Sequence, residues 1–289
     1  MGITAEDVKA LREKTGCGIM DCKEALVEAN GDANIAVDIL RKKGLDASLK
    51  KSSRVTVDGV AMAITNEDQT VGVCIEVNSE TDFVAKNTQF LDFVNICAKT
   101  VIDLKPESVE ELLNCKACGT SKEIGKLLEE KILIIGENIR IRRFERFEGV
   151  VSSYIHIDGR VASLVKFDAV PDVVSFSEFK NFSKDVAMQI AAAKPLFLNE
   201  ESIPSDVIEH ERKVLFEQIA SEGKPENIIK KIVDGRMNKF FKENCLLNQE
   251  FIKDSSFSVS SYLQKVEKEL NIQISIEDFV RYEKGEKLD

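Results

Sequence analysis

Seven cysteines and two histidines supply every thiol and imidazole of this 289-residue chain, so nucleophilic or zinc chemistry would have to start from them. Cys115-Lys116-Ala117-Cys118 has the spacing of a redox dithiol or of half a zinc knuckle. A redox dithiol follows a strand and opens a helix whose dipole lowers the thiolate pKa. This pair instead follows ESVEELLN, an acidic helix-like segment. A zinc site needs two further ligands, and Cys17 and Cys22 are spaced too widely for a second knuckle. GTSKEIGKLL (119–128) imitates a phosphate loop, but five residues separate its glycines and Leu127 stands where Mg2+ needs Ser or Thr. His210 falls on a helix surface in SDVIEHERKVLFEQIA, and His156 lies near a turn in SYIHIDGRVAS. Neither can be grouped from sequence with the Ser–Asp or Cys partners of nucleophilic catalysis. No metal, cofactor or covalent catalysis is expected, and a thiol or metal enzyme using Cys115 and Cys118 is the rival to a binding protein.

One aromatic raises a different kind of chemistry. EVNSETDFVAK (76–86) continues an apolar strand-like run, TVGVCIEV, and then places Phe83 directly after Asp82. Phe83 belongs either to its own core or to a surface that buries it in another protein.

Bulk composition narrows the class. The chain is 43% hydrophobic and 31% charged with five prolines, as in an ordinary globular protein. No apolar run approaches the roughly 20 residues that span a bilayer. The start, MGITAEDVKALREKTG, has no basic and apolar export signal, and Gly2 lacks the Ser or Thr that a myristoylation site wants further on. A cytoplasmic location with free thiols is expected. A net charge of −10 disfavours direct nucleic-acid or membrane binding, which needs a surplus of cations. RKKGLDASLKKSSR (41–54) reads as the cationic end of a helix plus a solvated linker, and IRIRRFERF (139–147) as a strand with one apolar and one charged face.

These residues have to be positioned by the elements around them. Residues 1–44 read as three short helices: the first capped by Thr4, the third carrying Ile35, Ile39 and Leu40 on one side and ending at Gly44. An internal repeat follows. DGVAMAI, QTVGVCIEV and TQFLDFVNICAKTV with Lys105-Pro106 parallel EGVVSSYI, GRVASLVKF and SEFKNFSKDVAMQIAAA with Lys194-Pro195. Each copy reads strand, turn, strand, loop and a helix bearing two core phenylalanines, Phe90 and Phe93 or Phe179 and Phe182. Asp158-Gly159 is expected as a two-residue hairpin turn. Aligning the copies on these helices sets Pro171 and Asp172 opposite Asp82 and Phe83. The sister copy builds the same elements without an Asp-Phe step, which favours recognition over core for Phe83. Between the copies, 107–138 carries helical segments ending in ILIIGENI. After them come two amphipathic helices flanking Ser-Glu-Gly-Lys-Pro, an αα-hairpin that packs on itself or on a second subunit, and then a helix, strand-like segments and a charged tail.

LREKTGCGIMDCKEAL (11–26) followed by NGDANIAVDILRKKG, and EVNSETDFVAK (76–86), resemble the two signature segments of the bacterial elongation factor Ts family. IGENIRIRR, AAAKP and VDGRMNKF are similar to further family segments in the right order, so the resemblance spans essentially the whole chain. It implies an α+β fold with a ubiquitin-associated-like (UBA-like) three-helix bundle at 1–44, a linker at 45–54 and a core half-domain at 55–147. A second half-domain would comprise 148–200 with 243–289, and a coiled-coil hairpin, used for dimerisation in some members, 201–242. It also implies guanine nucleotide exchange on the GTPase elongation factor Tu. Thr81, Asp82, Phe83 and Val84 would push between helices of the GTPase domain and dislodge Mg2+, with Lys23, Ile135, Gly136 and His156 as further contacts. Glu80 and Asp82 would keep Phe83 solvated until the partner arrives. An adaptor role for the first 44 residues is the third reading.

Overall fold

The computed structural model describes residues 3–220 and 225–288. Gly2 and the turn at 221–224, both considered from the sequence, lie outside the described residues. The first three helices, α1 (Ala5–Thr15), α2 (Ile19–Glu28) and α3 (Ala33–Lys51), bury Val8, Leu11, Cys22, Ala25, Leu26, Ala36 and Leu40 together. Thr4 caps α1 reciprocally: its hydroxyl accepts from the Asp7 amide, and the Asp7 carboxylate accepts from the Thr4 amide at 2.9 Å. Ile35, expected on the buried side of the third helix, is exposed, and Ala36 takes the inward position.

The third helix also runs past Gly44, correcting both its expected end and the solvated linker after it. Gly44 is a mid-helix residue, and a Cβ there would lie 3.3 Å from the Glu129 carbonyl. Glycine is used for close helix approach rather than for termination. Residues 45–51 are the last turns of α3, and Lys51 reaches the Ile132 carbonyl.

The first half-domain comprises β1 (Asp58–Thr65), β2 (Val71–Ser79), α4 (Asp82–Ala85), α5 (Thr88–Leu104), α6 (Val109–Asn114), α7 (Ile124–Ile135) and β3 (Ile139–Glu148). In α5 the residues Phe90, Phe93, Val94, Cys97, Ala98 and Val101 fall at the spacing of one helix face, and all are buried against the sheet. α7 explains its own run of four apolar residues. Ile132 and Ile135 face the half-domain core, whereas Leu133 and Ile134 complete the N-terminal bundle. A bundle of this size is marginal alone, and it borrows the far side of α7.

The second half-domain repeats the plan with β4 (Val150–His156), β5 (Val161–Asp168) and α8 (Ser177–Ala193). α5 and α8 are each 17 residues long, and each ends at a lysine in the left-handed region, Lys105 at φ 54° and Lys194 at φ 49°. Gly59 and Gly149, which open the two copies, have φ of 125° and 120°. The expected two-residue turn at Asp158-Gly159 is instead a loop over 157–160, because His156 pairs directly with Val161. Ile157, Asp158 and Gly159 all have positive φ.

Next come α9 (Ser205–Ala220), α10 (Glu226–Asn244), a small hairpin of β6 (Glu250–Phe251) and β7 (Asp254–Ser258), α11 (Val259–Leu270) and β8 (Ser275–Glu283). α9 and α10 pack on each other through Leu215, Ile219, Ile229, Val233 and Met237. The strand-like end of the chain is one strand. β8 pairs with β5 as the third strand of the second sheet, as β3 pairs with β2 in the first.

Each sheet carries its helix on one face and meets the other sheet on the opposite face. The layer between the sheets is thin, built from Ala61, Ala63, Cys74, Ala162 and Leu164 with Phe147, Val151 and Tyr282. β3 departs from the simple two-faced strand at a bulge opposite Glu76 and Val77. As a result the consecutive Arg142 and Arg143 both reach the fully buried Glu76 carboxylate, each at 2.8 Å. The amide of Gly285, beyond β8, donates to the same carboxylate at 2.9 Å, and Arg143 lies over the Tyr282 ring. Burial pushes the Glu76 carboxyl up, but hydrogen bonds from Asn78, Gly285 and the guanidiniums outweigh it and hold the pKa below the usual range. The tail thus ties the two sheets together rather than trailing into solvent.

Candidate partner interface

Phe83 is the most exposed large hydrophobic side chain among the described residues, at 81%. Its neighbours Val84 and Ala85 are buried in the core of the first half-domain. A single turn of helix, α4, separates the two environments. Such a turn is too short to be stable by itself, so the buried pair anchors it and Phe83 projects. Val84, expected to enter the partner, is held inside its own protein. The counterpart turn in the second half-domain, Pro171–Ser175, buries Val173 at the position matching Val84 and exposes Asp172 opposite Phe83. Both copies keep the anchor, and only the first carries the projecting aromatic.

The turn is also held from the side. The Thr81 amide and hydroxyl donate to the two oxygens of the Glu137 carboxylate at 3.0 and 2.6 Å. The Asn138 amide donates to Glu80 at 2.6 Å, and the Asn138 side chain donates to the Arg54 carbonyl at 3.0 Å. Arg54 pairs with Glu80 at 3.4 Å. Glu80 is therefore a structural acceptor rather than a solvating shoulder, whereas Asp82 is exposed and pairs with Lys86 at 3.1 Å. Gly136 caps α7 at φ 85° with open space where a Cβ would stand. Its left-handed turn delivers Glu137 and Asn138 to the Thr81 segment.

The structure thereby joins two of the expected contact groups, Thr81 to Val84 and Ile135-Gly136, into one corner. Lys23 and His156 share no hydrogen bond or ion pair with that corner among the described residues. Lys23 is exposed on α2, on a face with Met20 and Val27, both more than half exposed. His156 ends β4, exposed, with its Nδ1 3.1 Å from the Tyr154 hydroxyl. Glu137, Asn138 and Arg54 were not singled out from sequence. Their only local signal is a polar pair after a helix-capping glycine, and the partners lie tens of residues away.

The rival chemistry finds no footing. Burial pushes the Cys115 thiol up, and a hydrogen bond with the Asp103 carboxylate does the same for Cys118. Both shifts oppose formation of a reactive thiolate. The basic stretches are largely engaged: Lys43 pairs with Glu24 at 2.9 Å, and Arg146 with Glu148 at 2.8 Å. Among the described residues no helix is long and apolar enough to cross a membrane, and no group of three His, Cys, Asp or Glu side chains could hold a metal.

The family model described as Elongation factor TS matches residues 80–286. The chain is 45% identical to a protein of Clostridium kluyveri named Elongation factor Ts, over 99% of this chain and 94% of that one. It is 43% identical to the Elongation factor Ts of a Clostridium botulinum strain over the same shares. With the two-copy α+β architecture and the projecting Phe83, these likenesses lead to one conclusion: the chain belongs to the elongation factor Ts family.

Proposed function

We propose that this chain is a guanine nucleotide exchange factor for the translation GTPase elongation factor Tu, acting in the cytoplasm by binding alone and forming no covalent intermediate. The observation that carries the reading is Phe83, an aromatic 81% exposed on a turn whose Val84 and Ala85 are buried in the core. A fixed apolar group loses little freedom on docking, so most of its burial energy goes to the complex. Phe83, with Asp82 and Thr81, enters between helices of the GTPase domain and disturbs its Mg2+ site; Val84 acts from below as the anchor.

Phe83 does not act alone. Weakening nucleotide binding by about 10⁴ takes roughly 5.5 kcal/mol of differential binding, whereas burying one phenylalanine supplies about 1.5–3 kcal/mol. The remainder comes from Ile135 and Gly136 on the same corner, the Lys23 face of the N-terminal bundle, which we read as UBA-like, and His156 in the second half-domain. Nucleotide and factor then oppose each other's binding reciprocally. The α9–α10 hairpin is read as a coiled-coil module for a homodimer. No direct nucleic-acid contact is assigned. The test is release of a fluorescent GDP analogue from purified elongation factor Tu. Small amounts of this protein should accelerate release, and an unchanged rate at saturation overturns the reading.

A further inference from the structure

We propose that Glu137 is a positioning residue for exchange: it locks the Phe83 turn to the Ile135-Gly136 corner, so that both meet the partner as one preformed surface. The inference rests on the exchange reading above. Its first support is a broken local rule. Thr81 occupies the N-cap of α4, where a threonine hydroxyl ordinarily accepts from an amide of the first turn. Here α4 has no side-chain cap, and the hydroxyl donates to Glu137 at 2.6 Å. A local bond has been given up for one to a residue 56 positions away. Such departures from local preference concentrate at functional sites.

The second support is the way the contacts converge. Glu137 accepts from both donors of Thr81, while the adjacent Asn138 amide donates to the Glu80 carboxylate, so two successive residues of one loop grip two successive residues of the other. Asn138 is buried, and its side chain extends the grip to the Arg54 carbonyl. The third is the weakness of what else holds the turn. α4 is four residues long; its anchors Val84 and Ala85 fix it from the core side, and beside Glu137 the Thr81 end has, among the described residues, only the Ser79 hydroxyl on its carbonyl. Without Glu137 the Thr81 amide and hydroxyl lose their shared acceptor, and the backbone before Phe83 is left with the Ser79 hydroxyl on the Thr81 carbonyl and the contacts of Glu80, so docking must order it further.

The carboxylate is engaged within its own chain, so its role is geometric rather than electrostatic. In Glu137→Gln the amide oxygen accepts from the Thr81 amide while the amide nitrogen donates to the Thr81 hydroxyl, which keeps both links. The experiment measures GDP release from elongation factor Tu at limiting factor, together with amide hydrogen exchange of the free proteins. Glu137→Ala should slow release about tenfold. It should also speed amide exchange in residues 81–86 while leaving α5 and the sheets protected. Glu137→Gln should stay within about twofold of the parent, and in a Phe83→Ala background Glu137→Ala should add less than about twofold. Four results overturn the proposal: full activity in Glu137→Ala, a Glu137→Gln variant as slow as the alanine variant, full additivity with Phe83→Ala, or unchanged amide exchange in Glu137→Ala. A parent protein that does not accelerate GDP release from elongation factor Tu instead overturns the exchange reading.

Discussion

Two phenylalanines seven residues apart should respond oppositely to the same substitution. Phe90 is wholly buried on α5, and Phe83 is 81% exposed. Truncating a buried phenylalanine costs about 3–5 kcal/mol of folding stability through lost burial and the cavity left behind. Phe83 buries only about a fifth of its surface on folding, so its truncation costs about 0.3–0.6 kcal/mol. The better helix propensity of alanine offsets part of even that cost. On the partner the order reverses. If docking buries Phe83, its loss removes about 1.5–3 kcal/mol, which is roughly a 10- to 150-fold fall in exchange at limiting factor. Denaturant unfolding of parent, Phe83→Ala and Phe90→Ala, paired with GDP release scaled to the folded fraction, measures both sides. Phe83→Ala should unfold with the parent but exchange poorly; Phe90→Ala should unfold early but exchange normally per folded molecule. A Phe83→Ala protein destabilised by more than 1.5 kcal/mol, or one retaining full exchange, would refute the assignment of Phe83 to the partner's core.

Other perturbations probe the scaffold. The Glu283 carboxyl is held at about 2 by hydrogen bonds from Arg281 and Lys194, so it adds stability that is complete above its ordinary value of 4.5 and lost as pH falls from there toward 2. Glu283→Gln should therefore flatten the loss of stability between pH 4.5 and 2, seen by chemical unfolding across that range. Gly136→Ala meets no neighbouring atom but must adopt φ near 85°, which costs about 1–2 kcal/mol. The expected result is a modest fall in unfolding midpoint together with slower GDP release, since the same turn carries Glu137 to Thr81.

Much of this fold is one-dimensional information. The apolar stripes of α5 and α8 and the lysine-proline endings recur in register because burial on one helix face repeats with the period of the backbone, and the apolar run of β2 records a strand buried on both faces. Comparing the copies also separated Phe83 from the core, since the sister turn exposes Asp172 where the first exposes Phe83. Local pattern misled where a residue answers to a distant neighbour. Gly44 looked like a helix end because glycine terminates helices, yet the approach of α7 is what requires it. Arg142 and Arg143 looked like opposite faces of a strand until the bulge turned both onto Glu76.

The candidate site divides the same way. Residue types and the contrast between repeats showed that an aromatic follows Asp82 where the sister copy has none, and favoured recognition over core for it. Only the tertiary structure decided that Val84 holds it from beneath, that Glu80 is an internal acceptor, and that Glu137 and Asn138 weld it to the end of α7. The reason is physical: periodicity records which face of an element is buried, but it does not record which distant residues meet there. Those pairings exist only after the sheet closes and brings Ser79 of β2 alongside Ile139 of β3.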